Sequence, residues 1–289
     1  MPVRVTYIWH DCFVVELPVA TLVFDYWSDA DGVPREFPSF LDEIPKDIPL
    51  YVFVSHFHKD HYNPYVFSWG QSGFSVHYFV STDVWKRMRH IVSPTSVYSG
   101  PKVDVAQVSV MKPGEVWGGE KLDVKSFPST DVGNSWLVTS GRCRMFHAGD
   151  LNAWIWRDKS DEREVAAGLK AFMSCLIPIR SALETSGGHS MEPIDICFFP
   201  VDSRIGSGYY EGAKIFLRSF HVRHFFPMHF ALGDKDERAV RRRDALRTDL
   251  YVNPDRGGCI PLVKPSQYIE FRDVDFDNDT KRHVNFQPD

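Results

Sequence analysis

Hydrophobic residues alternate with polar ones at Val3, Val5 and Tyr7, resume from Phe13 to Leu17, and return from Thr21 to Phe24. A period of two over short runs predicts strands, so the chain opens as a β-hairpin or meander. Leu50 to Val54 differs in being almost uninterruptedly apolar, the pattern of a strand buried on both faces. It stops at Ser55-His56, which places the following polar residues in a loop at a strand's carboxyl end. Val76 to Val80 reads as another strand, and Thr82-Asp83 stands where it could cap a helix carrying Val84, Trp85, Met88 and Ile91 at helical spacing. From Val103 to Val124 short strands return, broken by Pro113-Gly114 and Gly118-Gly119. Ser135 to Thr139, Gly141 and Arg144 to His147 then form a hairpin aimed at Gly149-Asp150.

The interval from 158 to 190 changes character. Glu164, Val165, Ala166, Leu169, Phe172, Met173, Cys175 and Leu176 predict a helix ending before Pro178, and Ser186-Gly187-Gly188 predicts flexibility, so the interval reads as a helical insertion with a flexible loop. Ile194 to Phe199 is the next strand and Tyr209 to Phe220 the next helix. His224 to Phe226 forms a short strand delivering Pro227-Met228-His229, and a last helix is predicted over Asp234 to Leu250. The alternation predicts an α/β architecture, one domain over residues 1–289, with helices covering the outer faces of two sheets.

Composition narrows the function classes. The chain is 43% hydrophobic and 25% charged over 289 residues, enough for a large continuous core. Its formal charge of -5 offers no broad attraction to nucleic acid or anionic membrane. The basic run Arg241, Arg242, Arg243 and Arg247 lies beside Asp234, Asp236 and Glu237, the make-up of a solvated helix face. No basic leader with an apolar run opens the sequence, and no apolar stretch reaches the roughly 20 residues of a membrane span, so a cytoplasmic enzyme is expected. Cys12, Cys143, Cys175, Cys197 and Cys259 are odd in number and lack Cys-x-x-Cys spacing, which argues against a disulfide scaffold or a zinc knuckle. Nothing in the pattern fixes an oligomer, although aromatic residues and the helical insertion could support a homo-oligomer.

The candidate chemistry sits in Ser55-His56-Phe57-His58-Lys59-Asp60-His61, where three of the chain's twelve histidines fall within six residues beside a carboxylate. Imidazole nitrogen and carboxylate oxygen suit a divalent ion such as zinc, manganese or iron, and a turning loop can aim neighbouring ligands into two coordination spheres. Asp150 follows a strand in His147-Ala148-Gly149-Asp150, beside a glycine that permits a tight turn, and His229 ends another apolar strand. Both are candidate ligands. His147 and His10 read as supporting or structural groups. Asp25, Tyr26, Trp27, Lys59, Trp154, Trp156 and Arg204 are candidates for a pocket wall, with Arg204 placed either to recognise phosphate or to pair with Asp202.

This constellation resembles the metallo-β-lactamase superfamily, whose signature His-x-His-x-Asp-His follows a strand and is complete here as His56, His58, Asp60 and His61. The resemblance implies a four-layer αβ/βα sandwich holding one or two divalent metal ions, zinc or manganese foremost. His56 and His58 would serve the first ion, Asp60 and His61 the second, Asp150 would bridge them, and His229 would complete the second site. One departure stands out. The family supplies a further histidine near Phe127 to Ser135, and none occurs there. Either Asp131 replaces it through an oxygen, or Ser129 or Thr130 orients water, or the first site is weak. Asp60 and Asp131 are therefore the candidate catalytic groups, Asp60 orienting water and Asp131 ligating or transferring a proton. The layout is similar to the lactonases of ascorbate-phosphate type, which implies metal-activated water acting on a small ester or lactone, phosphorylated or not. Phosphodiester hydrolysis and a metal-binding protein without turnover are the rivals.

Overall fold

The computed structural model describes residues 2–27, 40–185, 190–229, 258–262, 266–271 and 285–286. The predicted helix over Asp234 to Leu250 with its arginine run, and the loop at Ser186-Gly187-Gly188, lie outside them. The chain divides into two compact units, one of residues 1–112 with 264–289 and one of residues 113–263. In chain order the first unit contributes β1 (Val3–Trp9), β2 (Cys12–Leu17), β3 (Ala20–Phe24), β4 (Leu50–Val54), β5 (Val76–Ser81), α1 (Thr82–Val92) and β6 (Val108–Met111). The second follows with β7 (Val116–Gly118), β8 (Asp123–Pro128), β9 (Asn134–Ser140), β10 (Cys143–His147), α2 (Glu162–Leu183), β11 (Ile194–Pro200), α3 (Glu211–Ser219), β12 (Val222–Met228) and β13 (Gly258–Cys259). The chain then returns to the first unit with β14 (Tyr268–Phe271) and β15 (Asn285–Phe286).

Each unit holds one mixed sheet. Among the described residues the first runs β15-β14-β1-β2-β3-β4-β5-β6, antiparallel as far as β3 and parallel from β3 to β6. The second runs β13-β12-β11-β10-β9-β8-β7, parallel as far as β10 and antiparallel beyond it. Two mixed sheets with helices match the expected α/β metallo-β-lactamase class. The apolar-rich runs became central strands: β3, β4 and β11 are buried at every position, Thr21 and Asp195 included. Phe24, Phe53 and Phe79 occupy successive parallel strands and stack at centroid separations of 4.8 Å, which fixes the register of β3, β4 and β5 through a large apolar contact. In the second unit Phe216 of α3 packs against Phe146 at 5.2 Å and Phe199 at 4.8 Å, fastening that helix to β10 and β11.

Two local expectations require correction. Helix α1 begins at Thr82, but Ser81 stands at its N-cap without a side-chain cap bond. The Asp83 carboxylate instead accepts a hydrogen bond from Phe57 N at 3.0 Å and ties the histidine-rich loop to the helix. Helix α2 does not stop before Pro178; it runs from Glu162 to Leu183 with the proline inside. Asp161 and Glu164 form a capping box at its start, and Phe172, Leu176, Ile179 and Leu183 make one buried stripe that continues past the proline. A proline inside a helix costs about 3 kcal/mol, while burying Ile179 and Leu183 contributes roughly 1.5–3 kcal/mol each, so tertiary burial outweighs local propensity.

Candidate functional site

The polar residues of interest cluster at the carboxyl ends of the parallel strands in each sheet, where open α/β sheets characteristically carry their chemistry. In the first unit, β3 ends at Asp25 and β4 at Ser55-His56. Asp25 has φ +42 and its N–H still continues the ladder to Phe53 O at 2.9 Å, so the backbone turns sharply the moment the strand ends. That turn brings the Asp25 carboxylate onto the next loop. One oxygen accepts from Ser55 N at 2.7 Å; the other accepts from Ser55 Oγ at 2.6 Å and from His61 Nδ1 at 2.7 Å.

These bonds decide which ring nitrogens face outward. A carboxylate only accepts, so His61 donates through Nδ1 and keeps its lone pair on Nε2. Ser55 Oγ gives its proton to Asp25 and can only accept from His56 Nδ1 at 2.9 Å, which leaves the His56 lone pair on Nε2 as well. His56 Nε2 faces His58 Nδ1 at 3.0 Å, and His61 Nε2 faces Asp11 Oδ2 at 3.1 Å. Metal bonds of about 2.0–2.2 Å set neighbouring donors about 3 to 3.5 Å apart, so both separations fit ligands sharing an ion. His56, His61 and Asp11 are fully buried, whereas Asp60 keeps 26% of its side chain exposed. The loop is further braced by His61 N and Tyr62 N donating to His58 O at 3.0 and 2.8 Å.

The second unit repeats the arrangement. Gly149, at φ +52, turns the chain after β10, and Gly149 N donates to His147 Nδ1 at 3.2 Å, so the buried His147 holds the turn. Asp150 follows. His229, at φ +62, ends β12 and sets its Nε2 3.1 Å from Asp150 Oδ1. Its Nδ1 lies 3.5 Å from Asp202, which follows β11 as Asp25 follows β3. Asp202 also accepts two bonds from Arg204 Nε, at 2.8 and 2.9 Å. Burial works to raise the Asp202 pKa, yet hydrogen bonds from His229 and Arg204 outweigh it and hold the carboxyl well below its ordinary range. Arg204 is thus engaged by Asp202, which answers one of the two alternatives for it.

Asp131 is exposed on the turn between β8 and β9, and offers a carboxylate oxygen within 4.8 Å of one from Asp150. The Thr130 hydroxyl donates to Asn152 O at 2.6 Å and accepts from Asn152 N at 3.0 Å. It pins the Asp131 turn to the segment after Asp150. Trp154 donates from Nε1 to Asp150 O at 2.8 Å and sets its ring edge-on to His229 at 6.3 Å. Trp27 packs edge-on to His10 at 5.2 Å, Tyr26 is buried against Trp69, Trp156 lies part-exposed, and Lys59 is exposed. Asp25, read from the sequence as pocket wall, and Asp202, read as a partner for Arg204, also stand behind His61 and His229, a role that sequence reasoning missed. The available signal was an acidic residue directly after, or two residues beyond, an apolar-rich strand.

Comparison with known proteins agrees with this picture. A family profile described as "Beta-lactamase superfamily domain" matches residues 4–165, more than half the chain. Comparison with curated protein sequences gives no significant match. Among solved structures, the chain is similar to Igni18, a metallo hydrolase from the archaeon Ignicoccus hospitalis, at TM-score 0.61 and 14% identity, covering 94% of this chain and 99% of that one. YhfI of Bacillus subtilis, a metallo-beta-lactamase fold protein, gives 0.55 and 11%, covering 93% and 99%. CmlA of Streptomyces venezuelae, a diiron beta-hydroxylase, gives 0.56 and 13%, covering 92% of this chain and 53% of that one. At such identities these likenesses speak to the fold.

Proposed function

The chain belongs to the beta-lactamase superfamily, and from that premise we propose that it is a metal-dependent hydrolase of a small ester or lactone, working in the cytoplasm. The observation that carries this reading is the repeated unit of a buried imidazole whose Nδ1 faces a supporting carboxylate and whose Nε2 faces another: Asp25-His61-Asp11 and Asp202-His229-Asp150. Carboxylate-supported histidine is how proteins orient imidazole toward a metal. We propose His56, His58, Asp60, His61, Asp150 and His229 as ligands of one or two divalent ions, with Asp131 giving an oxygen where the family gives a further histidine. The exchange of nitrogen for oxygen favours harder ions such as manganese over zinc.

When bound, the ion supplies Lewis acidity and lowers the pKa of water near neutral pH. The chain's own residues do the rest. Asp25 holds His61 with Nδ1 as the donor, and Asp202 lies 3.5 Å from His229 Nδ1, which Arg204 also approaches at 3.4 Å. Asp60 is partly open to solvent and lies with Oδ2 3.5 Å from His10 Nε2, placed to accept a proton from water and hold it in orientation. Trp154, edge-on to His229, presents an apolar surface suited to a small organic substrate.

The test is turnover by metal-stripped and manganese- or zinc-reloaded protein on simple lactones, aryl esters and an aryl phosphodiester. Turnover of lactones or esters that appears on reloading, and falls by two orders of magnitude or more in Asp60→Ala and Asp150→Ala, is expected from the loss of groups that act as a unit. Preference for the phosphodiester would move the assignment to the rival reaction. Bound metal with no turnover across the panel would sink the hydrolase reading.

A further inference from the structure

We propose that Asp11 is itself a metal ligand, joining Asp60 and His61 in an oxygen-rich position that prefers manganese-like ions to zinc. The proposal rests on the metal-centre reading above and extends it to a residue outside the His-x-His-x-Asp-His signature. Asp11 lies in the turn Trp9-His10-Asp11-Cys12 that joins β1 to β2. The turn is unusual: the strand register slips between Tyr7 and Trp9, His10 adopts φ +56, and His10 N donates to the hydroxyl of the buried Tyr7 at 2.8 Å. A non-glycine residue in the left-handed region costs of order 1 kcal/mol or more, and such strain gathers where a side chain must be aimed. The side chain aimed here is a carboxylate with 0% exposure.

Burial strengthens the attraction between a carboxylate and any cation held beside it. Asp11 Oδ2 lies 3.1 Å from His61 Nε2 and 3.7 Å from His10 Nε2. His61 Nδ1 already donates to Asp25 at 2.7 Å, so in the neutral ring Nε2 bears a lone pair directed at an anionic oxygen. Two electron-rich atoms that close repel each other, and a divalent ion held by both turns the repulsion into attraction. Asp60 completes the set: Asp11, Asp60 and His61 each offer a ligand atom, and all of these lie within 4.8 Å of one another. Two carboxylates to one imidazole is a harder donor set than the signature residues alone provide, and hard donors select manganese or ferrous iron over zinc relative to imidazole-rich sites.

The experiment is calorimetric titration of the full-length, metal-stripped chain and its Asp11→Asn variant with Mn²⁺ and, separately, Zn²⁺. Asp11→Asn keeps the shape and removes the anionic donor. The expected result is a loss of Mn²⁺ affinity of about 100-fold with a clearly smaller loss for Zn²⁺, so that the Mn²⁺/Zn²⁺ preference shifts by about 10-fold. Equal losses for both ions would mean that Asp11 acts only by holding His61, as the partner of an imidazolium, and would overturn the proposal; unchanged affinities would do the same. Should the variant fail to fold, manganese-edge anomalous diffraction from wild-type crystals decides: an ion about 2.2 Å from an Asp11 oxygen supports ligation, and one beyond about 3 Å contradicts it. If the wild-type chain binds neither ion, it is the metal-centre reading itself that fails.

Discussion

At the scale of single residues, the proposed metal centre leans on the acidic groups behind its imidazoles. Asp25 joins Ser55 and His61 through three hydrogen bonds, so its replacement should loosen two proposed ligand positions at once. Asp25→Asn is expected to lower metal affinity about 10- to 100-fold, the usual effect of removing a ligand's support, as read by titration with Mn²⁺ or Zn²⁺. Such supports were hard to read from the sequence because the bond joins residues 36 positions apart, whereas the His56 to His61 cluster was legible from spacing alone. A carboxylate elsewhere predicts a pH effect. Burial raises Asp195 to about 6 and outweighs its bonds to Arg144 N and Arg223. A carboxyl raised above its unfolded pKa is favoured protonated in the fold, so its contribution is greatest below the unfolded value and is lost as pH rises through about 6. Relative to Asp195→Asn, wild-type stability should decline by up to about 3 kcal/mol as pH rises from about 4 to 7, measured by urea unfolding.

Among the elements, those whose apolar pattern was strongest appeared where the pattern put them, and local signals failed where packing or a distant partner overruled them. The central strand β4 needed only its continuous apolar run, and β3 and β11 formed from apolar-rich runs interrupted by Thr21 and Asp195. Pro178 looked like a stop for α2, but the stripe of Phe172, Leu176, Ile179 and Leu183 carries the helix through it. Asp83 looked like a cap and instead braces the loop at Phe57. The stripe makes a contrast that can be measured on neighbouring positions. Leu176 is 3% exposed, so Leu176→Ala should destabilise by about 2–5 kcal/mol, whereas Ile177 is 65% exposed and Ile177→Ala should fall within about 1 kcal/mol of wild type. Equal losses at the two positions, by denaturant unfolding, would mean the face of α2 has been assigned wrongly.

For the molecule as a whole, the α/β class and the superfamily were legible because both are carried by pattern along the chain: apolar strands in alternation with helices, and a compact loop signature at a strand's end. What the sequence left open was the replacement for the absent histidine. The place of Asp131 near Asp150 depends on the turn after β8 being pinned by Thr130 to Asn152, a contact across 22 positions. Metal binding should also register as stability, since an ion bound to the folded state alone contributes about 2.7 kcal/mol when its free concentration is 100-fold above Kd. Chelation with EDTA should therefore lower Tm, and restoring Mn²⁺ or Zn²⁺ should recover it. The most direct test of the central claim is the metal content of the purified chain after reconstitution and removal of loosely held ions, by elemental mass spectrometry. One to two divalent ions per chain, falling below one in a His61→Ala, His229→Ala double variant, is the predicted result; a wild-type chain that retains no divalent ion would contradict the account.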